Sequence, residues 1–195
     1  MTITAETKKQ IVSLESEVGE ERVAAINALS KKRNAETIQL LISLLKEETS
    51  IQFREGACGI LGKLEAKEAV DVLIDCLNDP DDGVIYYAAL ALGDIRDTKA
   101  VKPIIRKLNR KQSDPLFRSE LIIALGNIGD DLAVVPLINV LRNDEDRFVR
   151  HNAALALGKL KNKKALGPLT EIARKEMNTR LYYLAISAID KIYQG

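Results

Sequence analysis

Few side chains in this sequence are of the types that do chemistry near neutral pH, and their scarcity already excludes several functions. His151 is the only histidine among 195 residues, and Asn152 follows it. A metal site built from several imidazoles is therefore excluded, and any serine or cysteine nucleophile would have His151 as its one histidine base. Cys58 and Cys76 are the only cysteines, 18 residues apart, each in an apolar stretch and without Cys-x-x-Cys spacing. They read as buried free thiols, not as a disulfide or a metal pair. Glu55 and Glu120 belong to no catalytic motif and read as solvated carboxylates. The other notable side chains are aromatic: Tyr86 beside Tyr87, and Tyr182 beside Tyr183. Tyrosine next to aliphatic groups is suited to anchoring a protein interface, because it buries a large area with few rotamers to freeze. No catalytic residue, metal ligand or cofactor is expected.

A repeat positions these residues. The stretch from Val149 to Leu160 returns, in close variants, as Phe117 to Ile128, Val84 to Ile95 and Phe53 to Leu64. Its glycine falls at Gly62, Gly93, Gly126 and Gly158, spaced 31, 33 and 32 residues apart, and weaker outer copies put Ser30 and Asp190 in its place. A fixed period of about 32 residues signals stacked units that cannot bury their apolar faces alone. Units of roughly 1–33, 34–65, 66–96, 97–129, 130–161 and 162–195 account for the chain as a single repeat domain.

Each unit reads as two helices. The first is marked by Ala69-Val70, Ala100-Val101, Ala133-Val134 and Ala165-Leu166, with Pro103, Pro136 and Pro168 in first turns, where the missing N–H has no intrahelical partner to lose. The second carries the motif. It is numbered from the position held by Arg22, Arg54, Ile85, Arg118, Arg150 and Tyr182. From there, offsets −1, +3, +6, +7 and +10 fall on one apolar side of the helix and face the core. Offsets +1, +2, +5 and +9 point away from it. The alanine-rich motif helices can approach one another closely, so they are expected to form a concave wall with those offsets as its surface. Its centre is Tyr86, Tyr87, Leu90, Ile123 and Leu155, flanked by Glu120, His151 and Asn152, with Tyr183 and Leu184 in the last unit. These ten residues are the expected partner-binding set; the competing reading packs Leu90, Ile123 and Leu155 between adjacent motif helices.

The turns are polar. Asn78 to Gly83, Ser113 to Pro115 and Asn143 to Asp146 offer carboxylates and amides to cap the next helix, while Lys31-Lys32-Arg33 and Lys159, Lys161, Lys163 and Lys164 lie at helix C-termini, where cations are favoured. Gly129-Asp130-Asp131 supplies a tight turn at the end of one motif helix. Beyond the last motif helix no capping element is visible, so Ile189, Ile192 and Tyr193 are expected to be partly exposed, which points to self-association through the C-terminal helix or to an excised domain, with a frayed terminal helix as the competing reading.

Composition adds limits. The chain is 46% hydrophobic and 29% charged, an ordinary globular composition. No apolar run approaches the roughly 18 residues of a membrane span, and residues 1–19 lack the apolar region of a signal peptide, so the chain reads as cytoplasmic. A net charge of +1 provides no field to gather nucleic acid or an anionic membrane surface, and neither is expected as a partner.

The tryptophan pattern of tetratricopeptide repeats and the Thr-Pro-Leu-His element of ankyrin repeats are both missing, which leaves HEAT-type helix pairs. The pattern Asp-x-x-x-Arg, then Ala-Leu-Gly, then Ala-Val-x-Pro-Leu resembles the short HEAT-like repeats first noted in phycobilisome bilin lyases. Asp114, Arg118, Ala124-Leu125-Gly126 and Ala133-Val134-Val135-Pro136-Leu137 meet it, as do Asp146, Arg150, Ala156-Leu157-Gly158 and Pro168-Leu169. The resemblance implies an all-α fold, a right-handed α-α superhelix of about six two-helix repeats. It also implies a ladder of turn contacts between neighbouring units, here Asp81, Asp114, Arg118, Asp146 and Arg150, interrupted by Ile85 and Tyr182 in the Arg series and by Ser50 and Asn178 in the Asp series. Deoxyhypusine hydroxylase, a HEAT-like enzyme with repeated His-Glu pairs, is not matched, because His151 precedes an asparagine. HEAT-like DNA glycosylases use a basic wall with aromatics, whereas Lys63, Asp94, Glu120 and Lys159 alternate in sign here. The expected function is a non-catalytic scaffold that binds a protein or peptide on its concave face. The alternative is a bilin lyase-like or chaperone-like subunit holding a tetrapyrrole and its acceptor protein, the one enzymatic reading that the resemblance suggests.

Overall fold

The computed structural model describes residues 4–31, 33–47, 50–109 and 114–194. Lys32, Ser113 and Gly195, which enter the expectations about caps and the chain end, lie outside them. Among the described residues every regular element is helical, and no helix is long and apolar enough to cross a membrane. The chain divides into two compact units, Met1–Asp97 and Thr98–Gly195. The division falls between the third and fourth expected repeats.

The first unit runs through α1 (Ala5–Val12), a 3-10 turn at Ser13–Glu15, α2 (Gly19–Leu29), α3 (Ala35–Leu45), α4 (Ile51–Lys63), α5 (Val70–Cys76) and α6 (Asp82–Ile95). The second contains α7 (Val101–Leu108), α8 (Pro115–Ile128), α9 (Val134–Asn143), α10 (Arg147–Leu160), α11 (Leu166–Lys175) and α12 (Arg180–Tyr193). The even-numbered helices are the motif helices. The register read from the sequence holds in the core: Val149, Ala153, Ala156 and Leu157 of α10 are buried, and Leu160 is half-buried at the helix end. Ile192 departs from expectation. It is buried, whereas Ile189 is half-buried and Tyr193 is 75% exposed. Ile192 occupies offset +10, so the core rule governs it even at the chain end.

Local chemistry accounts for the helix boundaries. Ser50, Asp81, Asp114 and Asp146 each accept a backbone N–H from the first turn of the helix they precede. In the last repeat Thr179 takes this role, and Asn178 stands outside it with a φ of 66°. At the other end, the third residue after the motif glycine is left-handed in four successive repeats: Glu65 at 47°, Arg96 at 58°, Gly129 at 82° and Lys161 at 52°. Only one of the four is the residue type that adopts this conformation without cost. The turn recurs in every one of these repeats, and the sequence revealed it only at Gly129.

The motif glycine has a different task. A Cβ at Gly62 would lie 2.7 Å from the Ala91 Cα, one at Gly126 would lie 3.0 Å from the Ala156 Cα, and one at Gly158 would lie 3.0 Å from the Ala188 Cα. Within the first unit α4 thus crosses α6, and within the second α8 crosses α10 and α10 crosses α12, each at a point with room for glycine against alanine. The repeated Ala-Leu-Gly sets how closely successive motif helices can approach.

Candidate functional site

The face of the motif helices that points away from the core carries the site. In the first unit a cleft of about 450 Å³ opens across α2, α4 and α6. Val23, Asn27, Glu55, Gly56, Gly59, Lys63, Tyr87, Leu90 and Asp94 line it at the wall offsets, and Arg22, Ile26 and Ala91 complete its sides. Its floor is glycine. A Cβ at Gly56 would stand 3.3 Å from Leu14 Cδ2, and one at Gly59 would have only the Tyr87 ring, 3.7 Å away, within contact distance. Leu or Ile at the Gly59 position, as at Leu90, Ile123 and Leu155 in other repeats, would fill this volume.

The register that pairs Gly62 with Ala91 pairs Ser30 with Ile60 at the preceding crossing. Both are larger than their counterparts. Ser30 caps the C-terminus of α2, and its buried hydroxyl has no hydrogen-bond partner among the described residues. α2 accordingly packs less intimately on α4 than α6 does, and the cleft lies along that looser side.

Electrostatics in the cleft favour neutral carboxyl groups. Burial raises the Glu55 carboxyl above its ordinary range, Asp81 adds to the rise, and Arg22 opposes it. Glu55 lies against the first turn of α6, where a Cβ at Gly83 would collide with its carboxylate. Burial also raises Asp94, with Arg96 opposing and Glu65 reinforcing. Tyr86 and Tyr87 meet edge to face with centroids 5.4 Å apart; Tyr87 is 37% exposed, and Tyr86 and Leu90 are half-buried.

The second unit holds the remaining expected site residues differently. Ile123, Asn152 and Leu155 line a hollow of about 240 Å³ with Ala156, Lys159 and Lys191, and the Lys159 ammonium donates to Asn127 Oδ1 at 2.7 Å. Tyr183 is exposed with its ring edge-on to Tyr182, and Leu184 is half-buried. His151 sits edge-on to the Phe148 ring at 5.8 Å. Burial and the nearby Arg180, Arg150 and Arg147 lower the pKa of its imidazole from the ordinary histidine value. Glu120 corrects the sequence reading. It is 7% exposed, as is its neighbour Ser119 at 9%, so its carboxylate is not the solvated wall group that its offset implies. Among the described residues no cluster of three or more His, Cys, Asp or Glu side chains has the arrangement of a metal site.

Arg54 and Arg118 of the motif are gripped by aspartates that stand next to the motif's own. Asp81, Asp114 and Asp146 cap their own helices. Arg54 instead makes a bidentate pair with Asp79 at 2.8 and 2.9 Å, and Arg118 makes one with Asp144 at 3.0 and 2.9 Å. Asp79 and Asp144 stand two residues before the cap of the next repeat, and each also accepts that cap's N–H at 2.9 Å. In the second unit the chain of contacts continues, since Arg150 donates to the Asp144 carbonyl at 3.0 Å and pairs with Glu176 at 3.5 Å. The signal for these acceptors is an Asp two residues before the capping Asp, visible in the sequence as Asp79-Pro80-Asp81 and Asp144-Glu145-Asp146.

Comparison with known proteins agrees with this architecture. A family profile described as HEAT repeats matches residues 10–91, 38–123, 73–146 and 106–190. No curated protein sequence matches. Among solved structures, a designed armadillo repeat protein in complex with peptide (KR)4 superposes with a TM-score of 0.65 at 19% identity, covering 96% of this chain and 100% of that one. An engineered protein superposes at 0.64 with 21% identity, covering 98% and 100%. The complex of CpcE and CpcF of phycocyanin lyase from Nostoc sp. PCC7120 superposes at 0.54 with 22% identity, covering 98% and 96%. At these identities the likeness shows the all-α helical-repeat fold.

Proposed function

We propose, from the premise that the chain belongs to the HEAT-repeat family, that it is a binding scaffold whose first unit receives a segment of a partner protein or peptide in the cleft across α2, α4 and α6. The observation that carries this reading is the glycine floor at Gly56 and Gly59, which leaves a cavity beside the exposed Tyr87 ring where other repeats place aliphatic side chains. A cleft of this volume is large enough for one or two side chains of a bound segment, with Tyr87 and Leu90 as the apolar contact. Glu55, Lys63, Asp94 and Asn27 at its margins supply polar groups that fix the orientation of the segment. The designed armadillo protein, which holds a peptide, is support from fold alone. Tyr86 is assigned a secondary role beside the cleft, and Ile123, His151, Asn152, Leu155, Tyr183 and Leu184 a partner-contact role on the second unit's own wall; the buried Glu120 is not assigned to it.

The test is a pull-down from source-cell lysate with wild type, the Tyr87→Glu/Leu90→Glu double variant and Gly59→Leu, recording bound proteins and visible absorbance. Proteins retained by wild type and lost from both variants, with helicity unchanged, are the expected result. Retention by all three removes the cleft as the site, and unfolding of the double variant assigns Tyr87 and Leu90 to the core. A tetrapyrrole-binding role is favoured instead by a coloured eluate, or by new visible absorbance when the purified chain is mixed with a bilin.

A further inference from the structure

The outer side of the last repeat is a face built for contact. In the second unit, offset +4 of a motif helix is covered where another motif helix packs on it: Ile122 of α8 and Ala154 of α10 are buried, whereas Ile186, at the same offset of α12, is 37% exposed. Met177, beside it, is 66% exposed. Between α11 and α12 this side holds an apolar groove of about 220 Å³, lined by Ala173, Arg174, Met177, Tyr182, Ile186 and Ile189. A further unit in the same register does not fit there. Asp190 replaces the glycine that admits the next helix at Gly126 and Gly158, and a Cβ at Gly158 would already lie 3.0 Å from the incoming Ala188 Cα. Tyr182 likewise replaces the arginine that reaches the following repeat, as Arg118 does to Asp144 and Arg150 to Glu176. The face therefore keeps its apolar surface and loses both devices that join one repeat to its successor. Its charges stand at opposite ends. α11 and α12 are joined by residues 176–179 and so pack antiparallel, with Arg174 in the last turn of one and Asp190 in the last turn of the other. Arg174 holds the place of Arg142, whose guanidinium crosses to Glu171 of the following repeat at 2.8 Å. Arg174 and Asp190 are exposed, and neither side chain has a hydrogen bond or ion pair among the described residues.

We infer that the outer face of α11 and α12 is a homodimer surface, and that its occupant is a second copy of this chain related by a two-fold axis. Whatever covers the face must be apolar at its centre, bring an anion to Arg174 and bring a cation to Asp190. A second copy meets all three conditions with the same residues. A two-fold axis lying in the interface, midway between the two charges, sets Arg174 of one copy against Asp190 of the other and lays Ile186 of each copy on the groove of the other. One rotation exchanges the two charges, so both ion pairs form together. The apolar centre supplies the attraction, and the charges fix the orientation. α12 has 14 residues and is about 21 Å long. A face of that length is at the small end of dimer interfaces, so the copies exchange between free and paired forms at micromolar concentrations. The cleft across α2, α4 and α6 belongs to the first unit, and this inference does not rest on the binding reading given to it.

The test is sedimentation velocity of the full chain from about 5 to about 500 µM, with circular dichroism as the check on folding. The expected result is a mass that rises from one copy to two across this range. Ile186→Lys should stay monomeric throughout, with helicity and melting unchanged. Arg174→Asp and Asp190→Arg should each weaken the dimer by about tenfold, because the two-fold axis puts two like-charged pairs into the interface for each change. The double variant Arg174→Asp/Asp190→Arg should recover wild-type association, and this readout decides the matter even if Ile186→Lys does not fold. A wild type that stays monomeric over the whole range leaves the face to a different partner and overturns the inference. A dimer untouched by Ile186→Lys, assemblies that grow beyond two copies, or a double variant as weak as either single one would do the same.

Discussion

The wall of the first unit and the wall of the second are built from the same motif helix, yet the cleft in the first measures about 450 Å³ and the hollow in the second about 240 Å³. Offset +5 holds Gly59 in α4 but Ile123 in α8 and Leu155 in α10; offset +2 holds Gly56 but Glu120 and Asn152. The helix crossings obey the same logic. Gly62 against Ala91, Gly126 against Ala156 and Gly158 against Ala188 allow close approach, whereas the register of the first crossing puts Ser30 and Ile60 at the equivalent positions. Side-chain volume at a few periodic positions therefore decides both how tightly motif helices pack and where a ligand could enter.

The most direct way to break this comparison is to enlarge the crossing glycine. Gly62→Val drives branched carbons into the Ala91 backbone and should cost about 3 kcal/mol in chemical denaturation. Gly59→Ala, one turn away on the same helix, meets only the far edge of Tyr87 and should instead stabilise by up to about 1 kcal/mol through helix propensity. Equal losses from both changes would show that the two glycines do not have separate tasks.

A smaller effect is expected where arginines link successive repeats. Arg118→Ala leaves the shielded Asp144 carboxylate without its bidentate partner and should cost about 2 kcal/mol. Arg142→Ala removes an exposed pair with Glu171, 43% and 38% accessible, and should cost less than about 0.5 kcal/mol. Thermal melts of the two variants separate a structural ladder from surface decoration.

Smaller still are the left-handed caps. Lys161→Gly should stabilise by about 0.5 to 1 kcal/mol, and Gly129→Ala should cost about as much, because the two positions share a conformation and differ only in residue type. Opposite shifts in the denaturation midpoint are the expected sign.

The smallest expected effect distinguishes the cleft by its pH response. The folded Glu55 pKa is raised, so its favourable contribution is complete below the unfolded value near 4.5 and is lost as pH rises through the folded value. Glu55→Gln should therefore melt above wild type at pH 7, and the gap should close as pH falls through 4.5. A gap that widens in acid would mean that Glu55 is stabilised as the anion, contrary to the burial that raises it.

Much of this was legible in the residues, for reasons that are local. Helix periodicity depends on a short-range pattern, so the core offsets, the starts of the motif helices and the outward set with Tyr87 and Leu90 could be read directly. A one-turn cap is local too, which is why Asp81, Asp114 and Asp146 carry their role openly. The arrangement of the wall, in contrast, depends on which atoms meet across helices. Gly59 reads as a weak helix former until the Tyr87 ring is seen across from it, and Gly62 until Ala91 is. Glu120 has the offset of a wall residue, but packing buries it. Periodicity along one helix thus determined the repeat, its caps and its two faces, while the volumes and charges that meet between helices, set by contacts remote in sequence, were decided only by the tertiary structure.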